Sequence, residues 1–365
     1  MAIHNHVMNR LTLPVLLMAV GSLSVTGFAQ DPQFSQFYAN PIYHNPAFAG
    51  GAGASRLILN YRNQWPALGA NYQTVAASFD TYVAPDRGRI GIGWGGQAIH
   101  DRQGSAWQSS SLSGQLAPDV TLFEDGADVM RLIGAVQATV TSGLYNPDGL
   151  SFVDQFSSGG LTNPVSIDPL SVAGVRQTFF GFSSGVVLEH QFQDRNGNLQ
   201  SYWLGGTLHH IGRSLSRYDV LGQRFGLQAG LRIPLNWKIR PRGLGNEESI
   251  DRSVGFTAQY RQQGMDRQLD AGVNLTYSPV MFGVWYRGIP MRKYQQTSQR
   301  DAVVLLTALQ LNTFMIQYSY DITVSTLSWA SGGAHEISIW YGFDSLFDFS
   351  GRRANARRAR KCQQF

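Results

Sequence analysis

Apolar and polar residues alternate along many stretches of this chain. In the stretch 267–278 (RQLDAGVNLTYS), apolar residues from Leu269 onwards alternate with polar or small ones from Asp270 onwards. The stretches 224–234 and 253–262 repeat the same order. Because successive side chains of a β-strand point to opposite faces, each stretch predicts a strand with one apolar and one polar face.

Segments of about ten alternating residues separated by turns are typical of a transmembrane β-barrel. We therefore predict an all-β protein, an antiparallel up-and-down outer-membrane β-barrel of about 14 strands over residues 54–345. The predicted strands lie near residues 54–65, 71–83, 88–100, 105–117, 129–143, 177–190, 201–211, 222–236, 251–262, 267–278, 281–288, 301–311, 313–322 and 333–343.

The longest gap between predicted strands spans residues 144–176 and is rich in proline and glycine, which predicts a loop. With an even number of strands both chain ends face the periplasm, so this loop lies on the outer side. Three further gaps, at 118–128, 193–200 and 238–250, then face the periplasm. The first predicts a solvated acidic turn rather than a calcium site, and it holds Asp119, Glu124, Asp125 and Asp128.

Composition agrees with a membrane barrel. Charged residues make up 15% of the 365 residues, and the chain has 40 glycines and 12% aromatic residues. A large secreted β-sandwich or a solenoid remains the alternative. Aromatic residues near strand ends predict girdles at the two headgroup levels, with ordinary core packing as the alternative; they are Trp65, Trp94, Trp203, Trp237, Trp285, Tyr318 and Tyr341.

The N-terminal 29 residues predict an export signal. Arg10 precedes the apolar run 11–20, and Gly27-Phe28-Ala29 ends in a small residue suited to cleavage before Gln30. Residues 30–53 would then form a periplasmic or plug segment ahead of the barrel.

The C-terminal residues 346–365 predict a basic periplasmic tail. No acidic residue follows position 350 to offset the arginines and the lysine of the tail. Because the whole chain has a net charge of only +5, its basic character is a property of the tail. Its expected neighbours are periplasmic proteins or anionic lipid headgroups, and nucleic acid is not among them. The single cysteine, Cys362, excludes an internal disulfide.

No motif predicts catalysis, a cofactor or a bound metal. Gly91, Gly93 and Gly96 match the spacing of a dinucleotide loop, but no helix is predicted after them. His209 and His210 are adjacent and would face opposite sides of a strand. Several polar residues fall on predicted lumen faces, where we expect charge pairs or water: Arg232, Gln259, Arg261, Asp270, Arg287 and Glu336.

Several segments carry a family resemblance. The segment 30–50 reads QDPQFSQFYANPIYHNPAFAG, and LNYRNQWPA follows at 59–67. Later segments are VWYRGIP at 284–290, YSYDIT at 318–323 and GAHEISIWYGF at 333–343. Together with the basic tail, these segments resemble the PorP/SprF family of Bacteroidetes outer-membrane proteins of the type IX secretion and gliding apparatus.

The resemblance implies a non-catalytic outer-membrane barrel. Such proteins support the secretion and surface attachment of cargo adhesins that carry a type B C-terminal domain, and they are linked to periplasmic components of the machinery. A porin or a transporter of hydrophobic solutes is the alternative function. The identity of the cargo and the state of the lumen stay open.

We predict partner contacts in two places. The segment 31–48 alternates aromatic residues with proline and asparagine; we expect it to tuck into the barrel or to lie at its periplasmic mouth, unless it merely orders the N-terminus. The predicted partner-binding residues are Phe34, Phe37, Tyr38, Asn40, Tyr43, Asn45, Arg352, Arg353, Arg357, Arg358, Arg360 and Lys361.

Overall fold

The structure is a computed structural model of the chain. It describes residues 31–68, 72–83, 90–148, 150–157, 160–161, 165–168, 171, 175–194, 197–212, 222–235, 252–264, 266–294, 297–311, 313–324 and 329–343. The predicted export signal and the basic tail lie outside these residues.

The described residues form sixteen strands. Their bounds are β1 Ser55–Gln64, β2 Tyr72–Val83, β3 Ile90–Gln103, β4 Trp107–Asp125, β5 Asp128–Tyr145, β6 Phe156–Ser157, β7 Gly160–Leu161, β8 Val175–Gln193, β9 Leu199–Ile211, β10 Arg224–Pro234, β11 Arg252–Gln263, β12 Asp266–Tyr277, β13 Val280–Tyr294, β14 Thr297–Leu311, β15 Phe314–Thr323 and β16 Ala334–Phe343.

Fourteen of these strands form one closed antiparallel barrel. Each barrel strand pairs with the next one along the chain, and β5 pairs with β8 across the longest connection. The barrel closes where β1 pairs with β16. The predicted all-β, up-and-down barrel of 14 strands is therefore confirmed, and closure leaves no unpaired sheet edge.

The two faces of each strand differ as predicted. On β12, Val273 and Leu275 are exposed on the outside of the barrel, whereas Asn274 between them is 1% exposed and faces the lumen. This order suits a wall with lipid outside and polar groups inside. In the described part of the chain, no helix is both long and apolar enough to cross a bilayer.

The loop pattern defines two ends of the barrel. We call the end at which β1 begins and β16 ends the inner end, because bacterial barrels place both chain ends on the periplasmic side. The long connection between β5 and β8 lies at the opposite, outer end. It carries a 3-10 turn, Val153–Gln155, and the two-residue strands β6 and β7, which pair with each other.

The prediction of an acidic loop at 118–128 is wrong. Asp119, Glu124 and Asp125 belong to β4, Asp128 opens β5, and the turn between these strands is short. Pro118 suggested a break because it lacks a backbone donor. The structure accommodates it locally: the β4–β5 pairing passes from Leu116↔Val136 to Asp119↔Ile133 and then continues.

The lipid-facing wall yields a stability prediction. Val273→Arg, near the middle of β12, places a charge in hydrocarbon and should lower the free energy of unfolding by about 2–4 kcal/mol. Urea unfolding of the barrel in lipid vesicles measures this. The same exchange at Val153, which is 91% exposed in the outer loop, is the control and should cost little. Equal stability of both variants would contradict a lipid-facing position for Val273.

Candidate functional site

The lumen of the barrel is occupied by the chain's own N-terminal segment. Residues 31–50, here called the plug, are mostly buried, and Ile42 and Asn45 have no exposed surface. Asp31 lies near the outer end, because it contacts the outer ends of β9, β10 and β11. Gly50 lies near the inner end, where its backbone N–H donates to Asp80 on β2 at 2.8 Å.

Proline and asparagine shape the plug locally. One helical turn, α1 (Pro41–His44), and one 3-10 turn, Pro46–Phe48, each begin with a proline. Proline suits a first helical position because its fixed φ is helical and its missing N–H needs no partner there. The Asn45 side chain caps the second turn by accepting from the Ala47 N–H at 2.9 Å.

Two tryptophans form the main aromatic contacts of the plug. Phe37 stacks on Trp203 with ring centroids 5.5 Å apart, and Tyr38 meets Trp285 edge-on at 5.9 Å. Both tryptophans point into the lumen, so the prediction that they belong to a headgroup girdle is wrong. Each ring covers a glycine directly across the strand pair, Gly230 under Trp203 and Gly272 under Trp285.

Glycines elsewhere in the wall allow close approach of the plug. A methyl group added at Gly93 would lie 2.0 Å from the carbonyl oxygen of Ala49, and one added at Gly185 would lie 2.1 Å from Oδ1 of Asn45. Gly93 belongs to the glycine pattern of β3, where no helix follows. Its role in this structure is therefore to make room for the plug backbone.

An apolar patch inside the lumen completes the packing. Phe37, Ile42 and Phe48 of the plug share one buried cluster with inward-facing residues of the wall. The wall residues are Ala117, Ile133, Ala135, Val187, Trp203, Trp285 and Val304. Sequence reasoning missed this patch, although a signal existed: β5 and β8 contain apolar residues on both faces, as in Leu132-Ile133 and Val186-Val187.

Asn45 and His44 anchor the middle of the plug. The Asn45 Nδ2 donates to Oε1 of Gln228 at 3.2 Å, and the His44 Nδ1 lies 2.9 Å from the Nε2 of Gln259. Buried polar side chains need such partners, because an unpaired one costs about 1–3 kcal/mol. The predicted lumen face of Gln259 is thus confirmed.

Charges hold the outer end of the plug. Asp31 contacts Arg224 at 2.8 Å and Nε2 of His210 at 2.7 Å. Burial raises the pKa of the Asp31 carboxyl, but His210 and Arg224 lower it more, so its pKa lies well below the usual value. Arg224 also donates to the Tyr43 hydroxyl at 2.9 Å and to the Tyr43 carbonyl oxygen at 3.1 Å.

An ion pair crosses the seam at which the barrel closes. Arg62 of β1 lies directly opposite Glu336 of β16, and their side chains are 3.4 Å apart. Asn60 donates to the same carboxylate at 2.8 Å. The plug shares this acceptor, because the Ser35 N–H donates to the Glu336 carboxylate at 2.5 Å. The side-chain amide of Gln36 donates to the backbone carbonyl oxygen of Glu336. Plug docking and barrel closure therefore use the same buried charge.

The network continues along the lumen wall. Asp321 of β15 accepts from Arg62 at 3.0 Å and from Arg287 of β13 at 2.9 Å. Arg287 also lies 3.4 Å from Asp270 and donates to the backbone carbonyl of Phe34 in the plug. The expectation that lumen charges pair across strands is confirmed for these residues.

The predicted partner residues fall into two groups. Phe34, Phe37, Tyr38, Asn40, Tyr43 and Asn45 all lie in the lumen and contact the barrel wall. Their binding to a separate partner stays a prediction, as does that of the tail residues Arg352 to Lys361, which lie outside the described residues. The wall partners Arg62, Arg224 and Glu336 were missed as plug-binding residues, because strand alternation shows which face a residue takes but not its neighbour across the lumen.

The site is built for binding within the chain. Among the described residues, no group of three or more histidine, cysteine, aspartate or glutamate side chains is placed to hold a metal ion. The lumen charges near the plug are engaged in ion pairs and hydrogen bonds with it or with each other. A closed, lipid-facing barrel with a docked N-terminal segment defines the class, an outer-membrane β-barrel with a plugged lumen.

The family follows from the sequence match. Residues 26–341 match the family described as type IX secretion system membrane protein PorP/SprF. The match covers most of the chain, so the chain belongs to this family of the type IX secretion system, and it is an outer-membrane protein. No curated protein matches the sequence significantly.

Several solved barrels are similar in structure at low sequence identity. CdiB from Acinetobacter baumannii is 9% identical with a TM-score of 0.43, and the match covers 80% of this chain and 60% of CdiB. A Pseudomonas aeruginosa FadL homologue is 10% identical with a TM-score of 0.43, covering 87% of this chain and all (100%) of that one. The Ralstonia pickettii toluene transporter TbuX is 12% identical with a TM-score of 0.39, covering 88% and 96%.

The seam network predicts a stability effect. Glu336→Gln removes the charge that pairs with Arg62 and accepts from Ser35, and it should lower the free energy of unfolding by about 3 kcal/mol. Denaturant unfolding in vesicles measures this. Glu189→Gln is the control, since Glu189 is a buried lumen acid that makes no ion pair in the described residues. A loss no larger than that of the control would show that the seam pair is dispensable.

The glycine contact predicts a change in the lumen. Gly93→Val collides with Ala49 of the plug and should displace it, which would raise ion conductance in planar bilayers and expose residues 31–50 to protease. Gly114→Val on the neighbouring strand meets nothing within 4 Å and should leave both readouts unchanged. A closed, protease-resistant Gly93→Val barrel would contradict the close packing of plug and wall.

Proposed function

We propose that this chain is a non-catalytic barrel that supports the secretion and surface attachment of cargo adhesins by protein–protein binding. Its family membership supplies the secretion context. The proposal adds the type B C-terminal domain of the adhesin as the bound partner. The observation that carries it is a set of apolar side chains on the outer loop between β5 and β8.

The outer loop carries apolar side chains into water. Val153, Ile167 and Val165 are 91%, 86% and 69% exposed. The strands that support the loop, β5 and β8, have 18 and 19 residues, whereas about 9–11 residues span a bilayer. The loop therefore stands beyond the lipid, where clustered exposed apolar residues mark protein interaction sites.

Hydrogen bonds hold these apolar residues in place. The Asp154 carboxylate accepts from the Ile167 N–H and from the Ser166 hydroxyl, both at 2.7 Å. These bonds lower the pKa of the Asp154 carboxyl below its usual value, so the carboxylate that accepts them is charged at neutral pH. A fixed loop conformation supports binding because less freedom is lost when a partner docks.

The plug counts against a diffusion porin or a transporter of hydrophobic solutes. A porin needs a water-filled lumen, and here the segment 31–50 packs against both apolar and charged parts of the wall. The ion pairs of Arg62 with Asp321 and Glu336, and of Arg224 with Asp31, likewise favour a binding role over a catalytic one.

Removal of the apolar groups tests the proposal. The triple variant Val153→Ser, Val165→Ser, Ile167→Ser should release most of the adhesin from the cell surface into the medium, because the docking surface loses its apolar contacts. Immunoblots of cells and medium measure this, with barrel abundance in the outer membrane checked in parallel. Val324→Ser is the control, an equal exchange at an exposed valine beyond β15. Full surface retention in the triple variant would refute the proposed docking site.

The basic tail supports a second contact, with an acidic periplasmic component. Truncation after Phe349 removes Arg352 to Lys361 and should leave a folded barrel, because the last described strand ends at Phe343. Association with the periplasmic machinery should weaken, and in the intact chain it should fall as salt rises. Co-purification from native membranes at low and high salt measures this. Unchanged association of the truncated chain would contradict a role for the tail.

A further inference from the structure

A cavity opens at the outer end of the barrel above the plug. It has a volume of about 560 Å³, its floor is formed by Asp31, Pro32 and Gln33, and Trp65 and Tyr72 stand on its side. A narrower cleft of about 90 Å³ continues from it along β3, β4, β5 and β8. We call the two together the outer cup. Ligand sites commonly have volumes of about 300–1,000 Å³.

The charges that line the outer cup are balanced. Asp31 is paired with Arg224, and Arg62 with Asp321. Asp266 and Arg267 add one further charge of each sign, and Asp301 lies 3.9 Å from Arg287. Asp101 and Arg261 bond neutral groups instead. The Asp101 carboxylate accepts from Thr74 at 2.6 Å and from Gln103 at 3.0 Å, and it has no cationic partner in the described residues.

Arg261 is a cation that lines the same cavity. It donates to Gln268 at 2.6 Å and makes no ion pair with any described residue. Asp101 and Arg261 therefore remain available, and together with Asp266 and Arg267 the lining charges of the two signs cancel. Such a pair favours a ligand that both donates and accepts hydrogen bonds over a net anion or cation.

Uncharged hydrogen-bonding groups line the cleft. Five side chains with hydroxyl or amide groups line it: Ser109, Ser111, Gln137, Thr139 and Thr141. Gln137 is only 6% exposed, so its amide is directed into a confined space. Hydroxyl and amide side chains donate and accept in turn, and buried ones normally have partners.

Backbone strain is concentrated at the same end. Trp65 and His210 are the two non-glycine residues with positive φ among the described residues, at 56° and 62°. Trp65 lines the cavity and packs edge-on against Tyr72 with ring centroids 5.3 Å apart. His210 lines the cleft. Residues held in such conformations cluster at ligand sites, where the surrounding structure fixes them.

We propose that the outer cup binds the end of a neutral saccharide. A sugar ring has an apolar face of C–H groups, which fits the aromatic side formed by Trp65 and Tyr72. Its hydroxyls donate and accept, which fits the serine, threonine and glutamine side chains of the cleft. Neighbouring sugar hydroxyls also suit the carboxylate of Asp101 and the guanidinium of Arg261. This site is separate from the apolar outer loop.

Two other ligand classes fit less well. An extended peptide gains affinity by adding a strand to a free sheet edge, and the closed barrel offers none. An anion needs a net positive site, and the unpaired charges of the outer cup cancel. Peptide and anion binding are accordingly outcomes that the test must distinguish.

Saturation-transfer NMR on the full-length barrel in detergent tests the proposal. The probes are glucose, galactose, mannose, N-acetylglucosamine and their β-1,4- or α-1,4-linked dimers. At least one should bind, with quenching of tryptophan fluorescence. The double variant Thr139→Val, Thr141→Val keeps the side-chain shape without the hydroxyls, and it should raise the Kd at least about tenfold.

Thr276→Val makes the same exchange on the lumen face near the inner end of the barrel and should leave the Kd unchanged. Absence of binding by every sugar in the set would overturn the proposal. So would an unchanged Kd in the double variant, or displacement of the sugar by acetylated glycine-serine peptide or by inorganic phosphate at equal concentration.

Discussion

Buried charge is the constraint on which the rest of this structure depends. Arg62, Arg287, Asp321 and Glu336 lie in the lumen wall with almost no exposure, where an unpaired charge would cost several kcal/mol. They satisfy one another across β1, β13, β15 and β16, and the backbone of the plug supplies further bonds. Because Arg62 and Glu336 face each other at the closing seam, the segment that fills the lumen also stabilises the closed wall.

The plug and the wall also fit each other in shape. Trp203 and Trp285 lie over glycines of neighbouring strands and present flat rings to Phe37 and Tyr38. Gly93 allows the plug backbone to pass within contact distance of the wall. Each of these glycines would be a weakness in an ordinary strand, and here each is compensated by an aromatic ring or a peptide group packed against it.

With the plug in the lumen, the two proposed binding surfaces lie at the outer end of the barrel. The outer loop displays apolar side chains on a hydrogen-bonded frame, and the outer cup beside it offers polar groups above the floor formed by the plug. Both features are the basis of the binding roles proposed for this member of a secretion-system family. The two surfaces differ in chemistry, since the loop side chains are apolar and the cup is lined largely by polar ones, so they would serve different ligands.

The alternation of apolar and polar residues determined the fold class, the strand count and the inward faces of residues such as Gln259, Asp270 and Glu336, because strand periodicity depends on backbone geometry alone. The separate pattern of aromatic residues, proline and asparagine in residues 31–48 pointed to this segment as a candidate plug. The alternation did not show that Trp203 and Trp285 pack against the plug instead of joining a headgroup girdle, because their ring partners, such as Phe37, lie more than 150 residues away along the chain. Nor could it show that Ser35 and Gln36 meet Glu336, or that Gly93 makes room for Ala49. Contacts across a lumen join residues with no fixed spacing, and only the closed tertiary structure brings them together.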